Sequence, residues 1–376
     1  MTQLSEIETT FVGLAAPGAS RAGAGGWPCQ GVYHRPRGSR PKVAVIATHY
    51  NVDFSQHYLA EHLAARGYGF LGWNTRFRND PLHFLLDRAL VDIGVGVRWL
   101  REEMGVESVI ILGNSGGCSL MAAYQSHATT PNVVALPGMR PAPGLDDLVA
   151  GDAFIALAAH QGRPDVLTSQ LDPSVIDEND PTLVDPELDL WNPDLERPFT
   201  AEFLTRYRAA QRDRNARITA WAKAELRRVA AAGQRDRVFT VPRTWADPRF
   251  VDPTIDANDR RPDWCYHGEP KQSNGSTWGL VTSCTLRTWL SMWSQETSQC
   301  NAGPHLANIS VPSFVINGAA DTGVFPSDAA ALLEGLASMD KSAVEMPGDH
   351  YFDKPTDTRS EVADVIAEWI EKRFQR

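Results

Sequence analysis

The chain has 376 residues, 43% hydrophobic and 22% charged, a composition ordinary for a globular protein and a length that suits one large domain carrying an inserted one. Its formal net charge of -10 argues against nucleic acid or an anionic membrane surface as the main partner. No apolar run approaches the roughly 20 residues that span a bilayer, the start MTQLSEIETT lacks the basic and apolar parts of a secretory signal, and the expected location is the cytoplasm. The 5 cysteines are odd in number and lack CxxC spacing, so they make no disulfide framework. Cys265, Cys284 and Cys300 leave room for one bridge or a metal site, but free buried thiols are the expectation.

A Gly/Ala-rich patch, AAPGASRAGAGG, precedes the first strong element, and its GAGG lacks the strand–helix context of a dinucleotide or phosphate loop. KVAVIATHY (42–50) is a near-continuous apolar run, as in a strand buried on both faces. DFSQHYLAEHLAARG (53–67) predicts a helix with Phe54, Tyr58, Leu59 and Leu63 on one stripe and Gly67 as its stop. YGFLGW (68–73) is the next strand and 84–103 the next helix. SVIILG, a helix from about Gly116, and the strand AFIALA (153–158) follow. Much later come the strands VPSFVING (311–318) and SAVEMPG (342–348). A last helix sets Val362, Val365, Ile366, Trp369 and Ile370 on one face. Strands alternating with helices predict an α/β fold with a mostly parallel sheet covered on both faces, and ligands on such sheets bind at the carboxyl ends of the strands.

From His160 to about His305 the rhythm breaks. An acidic, Pro-rich stretch leads into a long helix over 200–233, with Ile218, Trp221, Ala222, Leu226 and Val229 along one face. Because sheet strands resume afterwards, the segment 161–305 is expected to be a largely helical or irregular cap on a body made of 1–160 and 306–376.

The stretch LGNSGGCSL contains G-x-S-x-G between a buried strand and a helix. A turn this tight brings two backbones together two residues before and two after its apex, where Gly113 and Gly117 avoid a Cβ clash. Ser115 at the apex is lifted to the end of the sheet beside the N–H groups that open the helix. Cys118, one turn on, is placed inside rather than presented.

On these residues the chain resembles the α/β-hydrolase superfamily over about 30–160 and 306–376. The resemblance implies a triad in the order nucleophile, acid, histidine, here Ser115, Asp321 in VINGAADTG and His350 in EMPGDHYF, each just past a strand. A serine hydroxyl needs a base to take its proton, and that base needs a carboxylate to hold its tautomer. Asp349, next to His350 in sequence, is a poor substitute for Asp321. For the oxyanion, the resemblance implies the Gly116 amide and a donor from the loop after the first strong strand. There the family's His-Gly reads His49-Tyr50-Asn51. Asn51 is the first choice as backbone donor and Tyr50 the second, or the Tyr50 hydroxyl reaches the oxygen. Asn74 and Arg76 stand where many relatives carry Asp-x-Arg-Gly, a change expected to alter loop packing.

His49, His160, Trp289 and Trp293 are the expected substrate contacts, set against plain packing roles for His49 and His160. Of the 11 tryptophans, Trp191, Trp221, Trp245, Trp264, Trp278, Trp289 and Trp293 fall in the cap, as a pocket roof or as the core of a thin layer. No cofactor and no metal is expected. The implied activity is cleavage of small, mainly apolar or aromatic esters, lactones included, through an acyl-enzyme, with thioesters, amides and C–C bonds open to the same residues. A non-catalytic receptor on this fold is the rival, and the long cap helix offers a homodimer interface.

Overall fold

The computed structural model describes residues 6–18 and 28–375. The strands are β1 (Ile7–Ala15), β2 (Pro28–Pro36), β3 (Val43–Ala47), β4 (Gly69–Asn74), β5 (Ser108–Asn114), β6 (Ala153–Leu157), β7 (Ser313–Gly318) and β8 (Lys341–Met346). They form one eight-stranded sheet in the order β1-β2-β4-β3-β5-β6-β7-β8. From β4 to β8 in that order all pairings are parallel. An antiparallel hairpin, β1 with β2, extends the β4 edge.

Because side chains alternate along a strand, neighbouring residues feed opposite layers. Ile46 and Ile111 join α2 (Leu86–Glu102) and α3 (Gly117–Thr129) in one core. Val45 and Ile110 meet α1 (Ala60–Ala64) and the C-terminal helix Arg359–Glu371 in the other. Strands β3, β4, β6 and β7 are buried at every position, which explains their unbroken apolar runs.

One expectation needs correction, and the hairpin at the sheet edge was not anticipated. The helix expected over 53–67 forms only at Ala60–Ala64. The Phe54 amide donates to Asn74 Oδ1 at 2.8 Å and the Ser55 amide to Asp53 Oδ1 at 2.9 Å, so side chains take the groups a helix would use. The Phe54 carbonyl also presses on β4, where a Cβ at Gly72 would stand 2.1 Å from it. Asn74 and Arg76 therefore act in packing: Asn74 Nδ2 also donates to Asp53 and Ser55, and Arg76 pairs with buried Asp92 at 2.6 Å. The hairpin strand β1, like its partner β2, had no counterpart among the predicted elements. Only Val12 of its residues is buried and Phe11 is exposed, so it lacks a hydrophobic period.

Between β6 and β7 the chain leaves the sheet. It forms α4 (Arg163–Gln170), a small hairpin (Val175–Asp177 with Asp180–Val184) and the 31-residue α5 (Ala201–Ala231). A second strand pair (Val238–Thr240 with Ser283–Thr285) and a π-helical turn at Trp289–Trp293 follow. The Thr200 side chain caps α5 by accepting from the Phe203 amide at 3.1 Å. Ile218, Ala222 and Val229 pack into the same apolar cluster as the body, while Trp221 of the expected face is exposed against Phe239. All five cysteines are free and buried. Among the described residues no helix is long and apolar enough to cross a membrane, and no group of three or more metal-ligating side chains is assembled.

Candidate active site

Ser115 stands between the end of β5 and the start of α3 with φ +54°, a left-handed conformation costing a non-glycine residue on the order of 1–3 kcal/mol. Its amide donates to the Leu157 carbonyl at 3.0 Å, which pins the turn to β6. The flanking glycines have no room for side chains. A Cβ on Gly113 would lie 2.4 Å from the Cys118 Cα, and one on Gly117 2.4 Å from the Thr48 carbonyl oxygen.

His350, in the loop after β8, has Nε2 3.0 Å from Ser115 Oγ. Its Nδ1 lies 2.8 Å from Asp321 Oδ2. Asp321 is fully buried past the end of β7, and its Oδ1 accepts from the Gly323 and Val324 amides at 2.8 and 2.9 Å. Those bonds fix the carboxylate and leave Oδ2 for the imidazole. Burial pulls the His350 pKa down, but the Asp321 charge, the hydrogen bond to it and the Asp349 charge outweigh this, and the net shift is upward from 6.5. Asp349 itself accepts from the Tyr351 and Asp353 amides and shapes the turn.

On the other side of Ser115 lie His49 and Gly116. Their proximity is close enough that a Cβ on Gly116 would stand 3.0 Å from His49 Nε2. Burial, then the charge of Arg163, holds His49 well below its usual pKa, so the ring is neutral. Tyr50 is fully buried, its hydroxyl 2.9 Å from Ser119 Oγ and 3.4 Å from the Cys300 carbonyl. Asn51 is half-buried and its carbonyl accepts from the Asn79 amide at 2.8 Å. Among the described residues neither the Gly116 nor the Asn51 amide has an acceptor.

His160 is buried past β6, and its Nδ1 accepts from the Gly162 amide at 3.2 Å, which puts the proton of the neutral ring on Nε2. Trp293 is buried against Arg163. Trp289 is enclosed in the packing between α5 and the π-helical turn, with its indole N–H donating to Thr219 Oγ1 at 3.0 Å. A cleft of about 450 Å³ opens beside His350, lined by Trp264, Tyr266, Thr322, Asp349 and Tyr351 among others.

Searches against protein-family models and curated proteins return no match. Solved structures do match over nearly the whole chain. One, described as DcsB in complex with its substrate analogue, is 13% identical, covers 98% of this chain and 100% of its own, and has a TM-score of 0.56. Another, the alpha/beta hydrolase GrgF from Penicillium sp. sh18, is 11% identical, covers 97% and 98%, and has a TM-score of 0.53. The chain has the α/β-hydrolase fold.

In this α/β-hydrolase fold the insertion brings beside the candidate site two side chains that sequence reasoning did not single out. Tyr266 stacks on the His350 imidazole with centroids 5.7 Å apart and planes at 21°. It also fills the space at Gly323, where a Cβ would strike its ring at 2.3 Å. Arg163 lies against Gly116 from the start of α4. Neither had a signal of its own: WCYHG and HQGRP look like ordinary loop sequence, and only the docking of the insertion puts these side chains over the strand ends.

Proposed function

We propose that this α/β-hydrolase-fold protein is a serine hydrolase that cleaves carboxylic esters, lactones included, of small, mainly apolar or aromatic molecules through an acyl-enzyme. The observation that carries this reading is the continuous chain from Ser115 Oγ to His350 Nε2 at 3.0 Å and from His350 Nδ1 to Asp321 at 2.8 Å. In the proposed cycle Ser115 Oγ attacks the ester carbon while His350 Nε2 takes its proton. Asp321 accepts from Nδ1–H, which holds the tautomer and stabilises the imidazolium. The tetrahedral oxyanion accepts from the amides of Gly116 and Asn51, whose lack of partners supports that role. His350 then protonates the leaving alcohol. Water deprotonated by the same imidazole attacks the acyl-enzyme and frees the acid and Ser115. The aromatic rings of Tyr266 and Trp264 along the cleft support an apolar or aromatic substrate body.

A fluorophosphonate probe tests the reading. One adduct mass on the peptide carrying Ser115, together with turnover of nitrophenyl esters, is the expected result. An unlabelled Ser115 would point to a ligand-binding protein on this fold. The apolar-pocket part fails if no acyl chain longer than acetyl is preferred.

A further inference from the structure

Arg163 is 6% exposed, and among the described residues no carboxylate answers its charge. The guanidinium lies against the elbow: a Cβ on Gly116 would stand 2.9 Å from Arg163 Cζ. The Tyr50 and Trp293 rings flank it at 4.9 and 5.3 Å. The groups acting on it electrostatically are Tyr50, Tyr266 and Cys300, none of them a carboxylate. Among the described residues its one hydrogen-bond partner is His49, 3.2 Å from Nη2, and the enclosed Nε has none. His49 and His160 are both held neutral by burial and by the arginine's own charge, so neither brings a negative charge.

An isolated buried charge is costly, and flanking π faces offset only part of that cost. A ligand of opposite charge would offset that cost. The donors left open lie in the guanidinium plane, which suits the fork geometry of a carboxylate. They also lie beside the residue whose amide is assigned to the oxyanion. We propose that Arg163 is an anion subsite and that the substrate is an ester bearing a free carboxylate within a few bonds of the scissile carbonyl, such as a half-ester of a dicarboxylic acid. The subsite deepens the serine-hydrolase reading and rests on it for the word substrate. Tyr50, Trp293 and Tyr266 supply apolar walls around one point of charge.

The test pairs anionic and neutral probes. Binding of monomethyl glutarate and of dimethyl glutarate to the Ser115→Ala protein is measured by calorimetry, with and without Arg163→Met. The anionic probe is expected to bind at least about tenfold more tightly than the neutral one, as for a hydrogen bond to a charged group. Arg163→Met should erase that ratio. In the otherwise unaltered protein, kcat/KM for mono-4-nitrophenyl glutarate should exceed that for 4-nitrophenyl pentanoate by a similar factor, mainly through KM. If the methionine protein fails to fold, Arg163→Lys, which keeps charge but not the fork, should show a reduced ratio. Equal binding of the two glutarates overturns the subsite even when Ser115 is labelled and neutral esters are cleaved. Anion-selective binding without labelling at Ser115 keeps the subsite and overturns the hydrolase reading.

Discussion

Arg214 on α5 and Arg163 on α4 are both hidden by the insertion, 0% and 6% exposed, and their surroundings differ in kind. Arg214 Nε and Nη2 reach the Glu178 carboxylate at 2.8 and 2.6 Å. Its Nη1 donates to the Asp172 and Arg243 carbonyls, and Nη2 also to that of Pro242. Every nitrogen is used, and α5 is tied to the hairpin and to the strand pair behind it. Among the described residues the Arg163 guanidinium has a single hydrogen-bond partner, a neutral imidazole. A guanidinium whose donors are all taken acts as a structural clamp. One left open beside the elbow keeps its capacity for a ligand.

The two regions should therefore fail differently when altered. The largest effect is expected at the elbow: Ser115→Ala should lower ester turnover by about a million-fold with the melting temperature unchanged, as read by steady-state assay and calorimetry. Asp321→Asn should cost about ten-thousand-fold in kcat, because the imidazole loses the partner that fixes its tautomer. Smaller and of another kind is Arg214→Met, expected to destabilise by about 3–5 kcal/mol in denaturant titration, since Glu178 and three carbonyls lose their donor. Arg163→Met should not lower stability in the same titration, because it removes a charge that no carboxylate among the described residues answers. Equal destabilisation by the two methionine substitutions would break the comparison. The finest test is pH. His350 must be neutral to accept a proton, and its pKa lies above 6.5. Thus kcat/KM should fall with decreasing pH through a midpoint above 6.5, and Asp321→Asn should move that midpoint down.

The body was legible for a simple reason. KVAVIATHY, YGFLGW, SVIILG and VPSFVING are strands buried on both faces, and only continuous apolar runs satisfy that environment. The turn GNSGG was legible because steric exclusion at Gly113 and Gly117 leaves a local mark. Strand β1 left none, with Val12 alone buried, and 53–59 carried a helical stripe that backbone hydrogen bonds to the Asp53 and Asn74 side chains overrode. Among the tryptophans, enclosed Trp289, cleft-lining Trp264 and exposed Trp278 share a composition and differ only in what docks on them.

By itself the sequence determined the order of the parallel strands' elements and the turn that holds Ser115, since both follow from periodicity and short-range sterics. The tertiary structure alone decided that residues 115, 321 and 350 share hydrogen bonds, that Tyr266 covers the imidazole, and that Arg163 has no counter-charge among the described residues. These depend on contacts between segments far apart in the chain, and nothing in the local pattern of an arginine says whether a carboxylate will fold up against it.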